Sequence, residues 1–431
     1  MKLRFLLLLA LCVTSAQAVA QVDLERKGER LELTTDTDSR GQKDGSGSRR
    51  AVRTPDLCLL SDDHWLIAYT ELSDHDPAQA AWSRVVLHES KDRGKNWTAR
   101  IVDEQVRTSK DFLGHWVRVR ISNLGNGRLA LTSVAVAGKD QCYWWISSDH
   151  GQKWSPPAAM KLAEAMGGVT IEVAPTPAVN DKAKPPVRVK PAVKPLPGKS
   201  KPTPAAPEPV RFSAISRVMK LPTGKLAVFA DVPQPEGHLV TTRSLLFTGS
   251  EAAGWTRASK TLSADSSGAA APEPAPYFHT DEKGKKLMGC RHADGRSLAL
   301  LHWEYEAPDA KLSGRNWVLG GTDQPNLFSI SDKHIITVWR SENAKIYLMV
   351  SDADGIGSIT GFERSGWYTI DKVENVKQLN HIDAGGVAVL SDGSVVVAYA
   401  IDFAGIDDLK HFKKQLRLAV FEPGVIRLPK R

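Results

Sequence analysis

Apolar and polar residues alternate with a period of two along most of this chain, and glycine-containing turns interrupt the alternation at regular intervals. Period two sends successive side chains to opposite faces of a strand, so each unbroken run predicts a half-buried β-strand. Pairs of such runs recur as DLCLLSDDHWLIAYTE (56–71), VRVRISNLGNGRLALTSVAV (117–136) and ISRVMKLPTGKLAVFADV (215–232). Three further copies are PYFHTDEKGKKLMGCR (276–291), NLFSISDKHIITVWR (326–340) and GVAVLSDGSVVVAYAID (386–402). Asn-Gly, Thr-Gly, Lys-Gly and Asp-Gly at the turns are hairpin signals, because glycine accepts the positive φ of a tight hairpin.

Behind each of the first five copies a further strand runs on to a tryptophan, as in RVVLHESKDRGKNW and CYWWISSDHGQKW. The sixth is followed by QLRLAVFE (415–422) without one. Six small antiparallel units at a spacing of about 50 residues predict an all-β chain. The architecture expected is a six-bladed β-propeller of four-stranded antiparallel blades. RLELTT (30–35) is expected to complete the last blade and protect its edge. Short helical turns are expected only near 160–166 and 404–414.

Two of the turns share a tighter pattern, S-x-D-x-G-x-x-W: Ser90, Asp92, Gly94 and Trp97, then Ser147, Asp149, Gly151 and Trp154. Serine and aspartate bond the turn's own backbone, glycine takes the left-handed position, and tryptophan buries its ring with the N–H near a polar partner. Each box reads as a loop staple.

Charge changes the picture less than its total of +8 suggests. Lys2 and Arg4 begin MKLRFLLLLALCVTSAQAVAQ, whose apolar run is shorter than the roughly 20 residues of a membrane span and which ends in small residues. Residues 1–20 therefore read as a signal peptide and the mature protein as exported, periplasmic or extracellular. Residues 175–211 hold eight Lys or Arg against Asp181 and Glu208, and the remainder is balanced, which argues against nucleic-acid binding. That segment also has eleven prolines, so 170–211 is expected as a disordered insertion between blades 1–2 (21–169) and blades 3–6 (212–431). It is a solvated spacer or a contact to an anionic envelope. Cys58, Cys142 and Cys290 remain after cleavage, an odd number that suits buried small apolar side chains. No metal or cofactor motif stands out.

The two boxes within a sixfold repeat resemble the Asp-box (BNR) repeats of the sialidase superfamily. VRTPDLCLLSDDHWLIAYTE also looks like the segment that opens a sialidase domain, with Arg53 and Pro55 matching while Val52 and Thr54 replace an aromatic residue and isoleucine. The resemblance implies three arginines on the substrate carboxylate, an aspartate acid/base, and a tyrosine nucleophile paired with a glutamate. Guanidinium forks suit a carboxylate, and a neutral tyrosine attacks an anionic sugar without charge repulsion. Carried over, Arg53 is the first arginine, Asp76 or Asp74 the acid/base, Glu273 and Arg291 the glutamate and second arginine, and Arg340 or Lys345 the third cation. The family's tyrosine is missing from LNHIDAGGVAVLSDG, which offers His381 and Asp383 instead, while Tyr368 and Tyr399 lie elsewhere. The implied activity is exo-α-sialidase-type hydrolysis of glycans bearing an acidic sugar. Without the tyrosine, the alternative is a non-catalytic propeller that binds a glycan or a protein.

Overall fold

The computed structural model describes residues 22–23, 28–33, 51–166 except 75 and 140, and 210–258 except 222, 237 and 238. It further describes 276–280, 286–293, 297–304, 313–318, 326–331, 334–340, 345–352, 366–372, 376–405 and 412–428. Residues 1–20, Glu273 and nearly all of 170–211 lie outside the described residues.

The described chain is all-β apart from one helical turn. Two short strands come first, β1 (Val22–Asp23) and β2 (Glu29–Leu33). The first sheet is then a meander of β3 (Ala51–Leu59), β4 (Trp65–Leu72), β5 (Trp82–Ser90) and β6 (Thr98–Val106). A second follows with β7 (His115–Gly125), β8 (Arg128–Val136), β9 (Gln141–Ser147) and β10 (Ala158–Ala159), before the turn α1 (Leu162–Ala165). In the third, β11 (Ala214–Ile215) and β12 (Met219–Lys220) both pair with β13 (Leu226–Glu236), which continues to β14 (Leu239–Ser250) and β15 (Gly254–Arg257).

The fourth sheet holds β16 (Pro276–Thr280), β17 (Lys286–Ala293), β18 (Ser297–Glu304) and β19 (Ser313–Val318). The fifth holds β20 (Asn326–Ser331), β21 (His334–Arg340), β22 (Lys345–Asp352) and β23 (Gly366–Lys372), with β1 added in parallel. The sixth holds β24 (Val376–Val389), β25 (Val395–Gly405) and β26 (Phe412–Phe421). Its outer strand is β2, antiparallel to β26 from Glu29–Val420 to Leu33–Leu416.

Three details depart from the sequence expectation. The third and fifth sheets have five strands rather than four. In the third, the inner strand breaks where Arg217 leaves the ladder to reach the first sheet. Residues 22–23 add to the fifth sheet, because β1 finds an open edge there, while β2 takes the outer place in the sixth sheet expected of RLELTT. Near 404–414 the described residues are strand, whereas a helical turn forms at 162–165.

Apolar side chains are buried between sheets rather than within one. Tyr69, Trp65 and Val86 of the first sheet pack with Val396, Ala398 and Leu418 of the sixth. Leu66 and Val85 pack with Trp116 and Trp145 of the second. The first strands of neighbouring sheets also touch: β24 meets β3, β3 meets β7, and β7 meets β11 and β12. Gly385 lies against Pro55 and Gly386 against Leu57, where a side chain on either glycine would collide with backbone. Asp56 accepts a hydrogen bond from Ile121 N (2.9 Å) and Leu59 O accepts one from Asn123 (3.4 Å). Ser122 accepts one from Val218 N (2.8 Å). The residue numbers rise together in each pair, so these inner strands run in the same direction and present equivalent ends on one side.

Both boxes close the same way. Ser90 Oγ donates to Asp92 Oδ1 (2.8 Å) and accepts from Gly94 N (2.8 Å), and Asp92 accepts from Asn96 N (2.9 Å). Ser147, Asp149, Gly151 and Lys153 repeat these bonds at 2.8, 2.9 and 2.9 Å. Backbone bonds from Asn96 and Lys153 hold the two aspartates below the usual carboxylate range. The glycines have φ of 83° and 85°. Trp97 donates to Gly94 O (2.8 Å), and its ring flanks His88, which also meets Tyr69 edge-on with Nε2 3.2 Å from the hydroxyl. Burial pushes the His88 imidazole down to about 4. Glu89, next in the chain, accepts from His64 (2.8 Å), Arg100 (2.7 Å) and Gln152 (3.0 Å), tying the first box to the second. Burial alone raises its carboxyl, but the Arg100 and His64 bonds outweigh it and bring the group to about 2.

Candidate functional site

Arg53 sits near the start of β3, half-buried and opposite Thr70 at the end of β4. Asp74 and Asp76 follow β4 directly, so all three occupy one end of the first sheet. The loop that carries them is internally fixed. Ser73 Oγ accepts from the amides of Ala81 (2.7 Å) and Trp82 (3.2 Å). Asp74 Oδ1 accepts from Asp76 N (3.1 Å), and Asp76 Oδ1 from Ala78 N (2.9 Å). Arg107 straps the loop through the carbonyls of Pro77 (3.1 Å) and Ala78 (2.8 Å). Asp76 thereby holds a fixed, exposed position, with one carboxylate oxygen engaged by the turn.

The other candidates are set by strand register. Asp383 lies in β24 opposite Ala400, two residues before the Gly385–Pro55 contact, hence at the level of Arg53 on the adjoining strand. Arg291 lies in β17 opposite Leu300, and Arg340 ends β21 opposite Ile346. Both stand at the end of their sheet where the inner strand begins, as Arg53 does in the first. Arg53, Asp74, Asp76 and Asp383 are thus brought into one neighbourhood, while Arg291 and Arg340 belong to the fourth and fifth sheets.

Other charged groups on these strands escaped the sequence reading. Asp56 is fully buried and receives Arg217 Nε (2.8 Å) and Nη2, while Nη2 also donates to Leu57 O (2.8 Å). One ion pair therefore joins the first and third sheets across the second. Arg118 and Arg120 lie on β7 within VRVRISNL, where strict alternation reads as an ordinary solvated face. Three adjoining inner strands also break register together: β3 between Arg53 and Asp56, β7 between Val117 and Arg120, and β24 between Ala384 and Val387. Thr54 (φ 46°) and Arg118 (φ 56°) take left-handed conformations at two of these bulges.

Tyr399 is completely buried. Its hydroxyl donates to Asp371, which also accepts Arg417 Nη1 (3.0 Å), locking the fifth sheet to the sixth. A tyrosine so enclosed meets no substrate. Cys58 and Cys142 are buried free thiols, and burial pushes Cys58 to about 12, so neither is a thiolate nucleophile at neutral pH. Among the described residues no three His, Cys, Asp or Glu side chains group as metal ligands, and no helix is long and apolar enough to cross a membrane.

No family model matches the sequence, and no curated protein matches it. Solved structures do. A protein of unknown function from Dyadobacter fermentans DSM 18053 is 14% identical with a TM-score of 0.60, over 93% of this chain and 99% of that one. The Hadza microbial sialidase Hz136 is 11% identical with a TM-score of 0.52, over 88% of this chain and 66% of that one. An intramolecular trans-sialidase from Ruminococcus gnavus is 10% identical with a TM-score of 0.48, over 90% of this chain and 97% of that one. At these identities the likeness is one of fold, and the fold is sialidase-like.

Proposed function

We propose that the six sheets are the blades of a closed propeller with Asp-box loops, exported after removal of residues 1–20, which recognises glycans bearing an acidic sugar. Arg53 carries the reading. It stands at the start of an inner strand, half-exposed, beside a rigid loop with Asp74 and Asp76, where an anionic ligand meets a fork of donors and a positioned carboxylate. In the hydrolytic form of the proposal, Arg53, Arg291 and Arg340 hold the sugar carboxylate. Asp76 or Asp74 then protonates the leaving oxygen, with Asp383 and Glu273 the acidic groups left for the nucleophilic side.

A non-catalytic glycan-binding propeller is favoured by one observation: Tyr399, the tyrosine of the sixth sheet, is buried against Asp371. The basic insertion (170–211) adds contact to an anionic envelope polymer in either case. Release of fluorophore from an aryl sialoside, compared between the mature protein and Arg53→Ala, tests the readings. Arginine-dependent release supports hydrolysis. Binding of a sialoside without release supports the lectin-like form, and the absence of both release and binding overturns the proposal.

A further inference from the structure

We propose that Arg107 and His115 form a proton-sensitive strap that holds the Asp74–Asp76 loop in place and lets go of it in acid. This deepens the reading above, on which the role of Asp76 rests, by giving that site a regulation. Arg107, just after β6, brings one nitrogen to three acceptors. Its Nη2 donates to Pro77 O (3.1 Å) and Ala78 O (2.8 Å) of the loop, and lies 3.3 Å from His115 Nε2. Its own amide donates to Ala81 O (2.9 Å), so strap and loop are joined through backbone and side chain alike. A guanidinium only donates, so Nε2 must accept, and that requires the neutral imidazole with its hydrogen on Nδ1.

Packing holds the ring in this contact. His115 is fully buried, opens β7 opposite Val136, and meets Phe112 edge-on at 4.8 Å. Next to it, Trp116 N donates to Ser83 Oγ (2.9 Å), which docks the start of β7 on β5. Nδ1 lacks a hydrogen bond of good geometry and has only the Ala80 backbone of the loop in reach. Among the described residues the charge acting on the ring is that of Arg107, while Val136, Phe112 and Ser83 bring none. A second proton would stand on Nε2 against the N–H of a permanent cation, with no carboxylate to take it up. Burial and the Arg107 charge hold the imidazole below its ordinary value of 6.5, and the Ala80 backbone offsets only part of this. Once the strap parts, the ring regains that value, so opening is favoured as the pH falls below 6.5 and suppressed above it. Arg107 and His115 are thus positioning residues that act on Asp76 through its loop.

The experiment reads amide hydrogen exchange of residues 77–82 in the mature protein, with β8 (Arg128–Val136) as the reference segment. Rates are compared at about pH 7.5 and about pH 5.5, each relative to the intrinsic rate at that pH. No ligand is present, so failure here leaves the reading of the site standing, and a failed sialoside assay leaves the strap standing. In the parent, protection of the loop is expected to fall about three- to tenfold on acidification, while β8 changes less than about twofold. His115→Gln keeps an acceptor for Arg107 without taking up a proton, and its loop is expected to change less than about twofold. Arg107→Gln is expected to leave the loop poorly protected at both pH values. Loop protection that is unchanged in the parent, that falls together with β8, or that falls as much in His115→Gln as in the parent overturns the proposal. If His115→Gln does not fold, Arg107→Gln decides, and a parent-like dependence on pH in that variant overturns the proposal.

Discussion

Acid destabilises this fold through buried histidines, His88 foremost, beginning above the range in which its carboxylates titrate. His88 lies 3% exposed between Tyr69 and Trp97, and its imidazole falls from 6.5 to about 4 because the cation loses its hydration there. Nδ1 has no hydrogen-bond partner among the described residues, so a proton placed on it is uncompensated. The unfolded chain takes up that proton below 6.5 and the folded one does not, so stability is full well above 6.5 and falls as the pH drops toward 4. Below that both states are protonated and the loss levels off. At about 1.4 kcal/mol per pH unit, the loss reaches about 2–3 kcal/mol by about pH 4.5. Urea unfolding of the parent and His88→Gln at about pH 7.5 and about pH 4.5 isolates the effect, since other groups cancel in the difference. The variant is expected to lose about 2 kcal/mol less than the parent over this interval. Parallel losses in the two proteins would refute the reasoning.

The remaining predictions concern the staples, the buried ion pair and the thiols. Gly94→Ala puts a Cβ 2.7 Å from the Trp65 ring at φ 83°, and costs more than about 2 kcal/mol in urea unfolding. Gly224→Ala, at the same φ with open space around it, costs about 1 kcal/mol. Asp56→Ala strips Arg217 and the Ile121 amide of their acceptor and is expected to lower stability by about 3–5 kcal/mol, visible as a drop in Tm. Cys58 and Cys142 are expected to resist a disulfide reagent at mildly alkaline pH until denaturant is added, and labelling of either in the native state contradicts their burial.

How much of this was written legibly in the chain depends on how local each feature is. All six first hairpins follow from alternation and turn residues, glycine in four of them and Ser-Asp in the other two, because strand, turn and strand are contiguous. The boxes follow for the same reason, since the side chains of Ser90, Asp92 and Trp97 bond within residues 90–97. The outer place of β2 was legible as well, because an amphipathic strand without a neighbouring hairpin needs an edge. The Asp56–Arg217 pair was not, since its partners are 161 residues apart and each looks like one polar residue in an alternating run. Nor were the three register breaks, which arise where inner strands crowd one another. Asp76 was singled out by family likeness, and only the structure reveals how much of its side chain the turn occupies.

The placement of β2 has a consequence for how the protein is made. Glu29 pairs with Val420, so the strand that finishes the last sheet is made before the rest of that sheet and waits for a partner about 390 residues downstream. Until then the sixth sheet has an open edge and β2 has no mate, the interval in which a β-chain is most exposed to pairing with a neighbour. The final step is a clasp between β2 and β26. A circular permutant that joins them and opens the chain between the first and second sheets turns that clasp into a local hairpin.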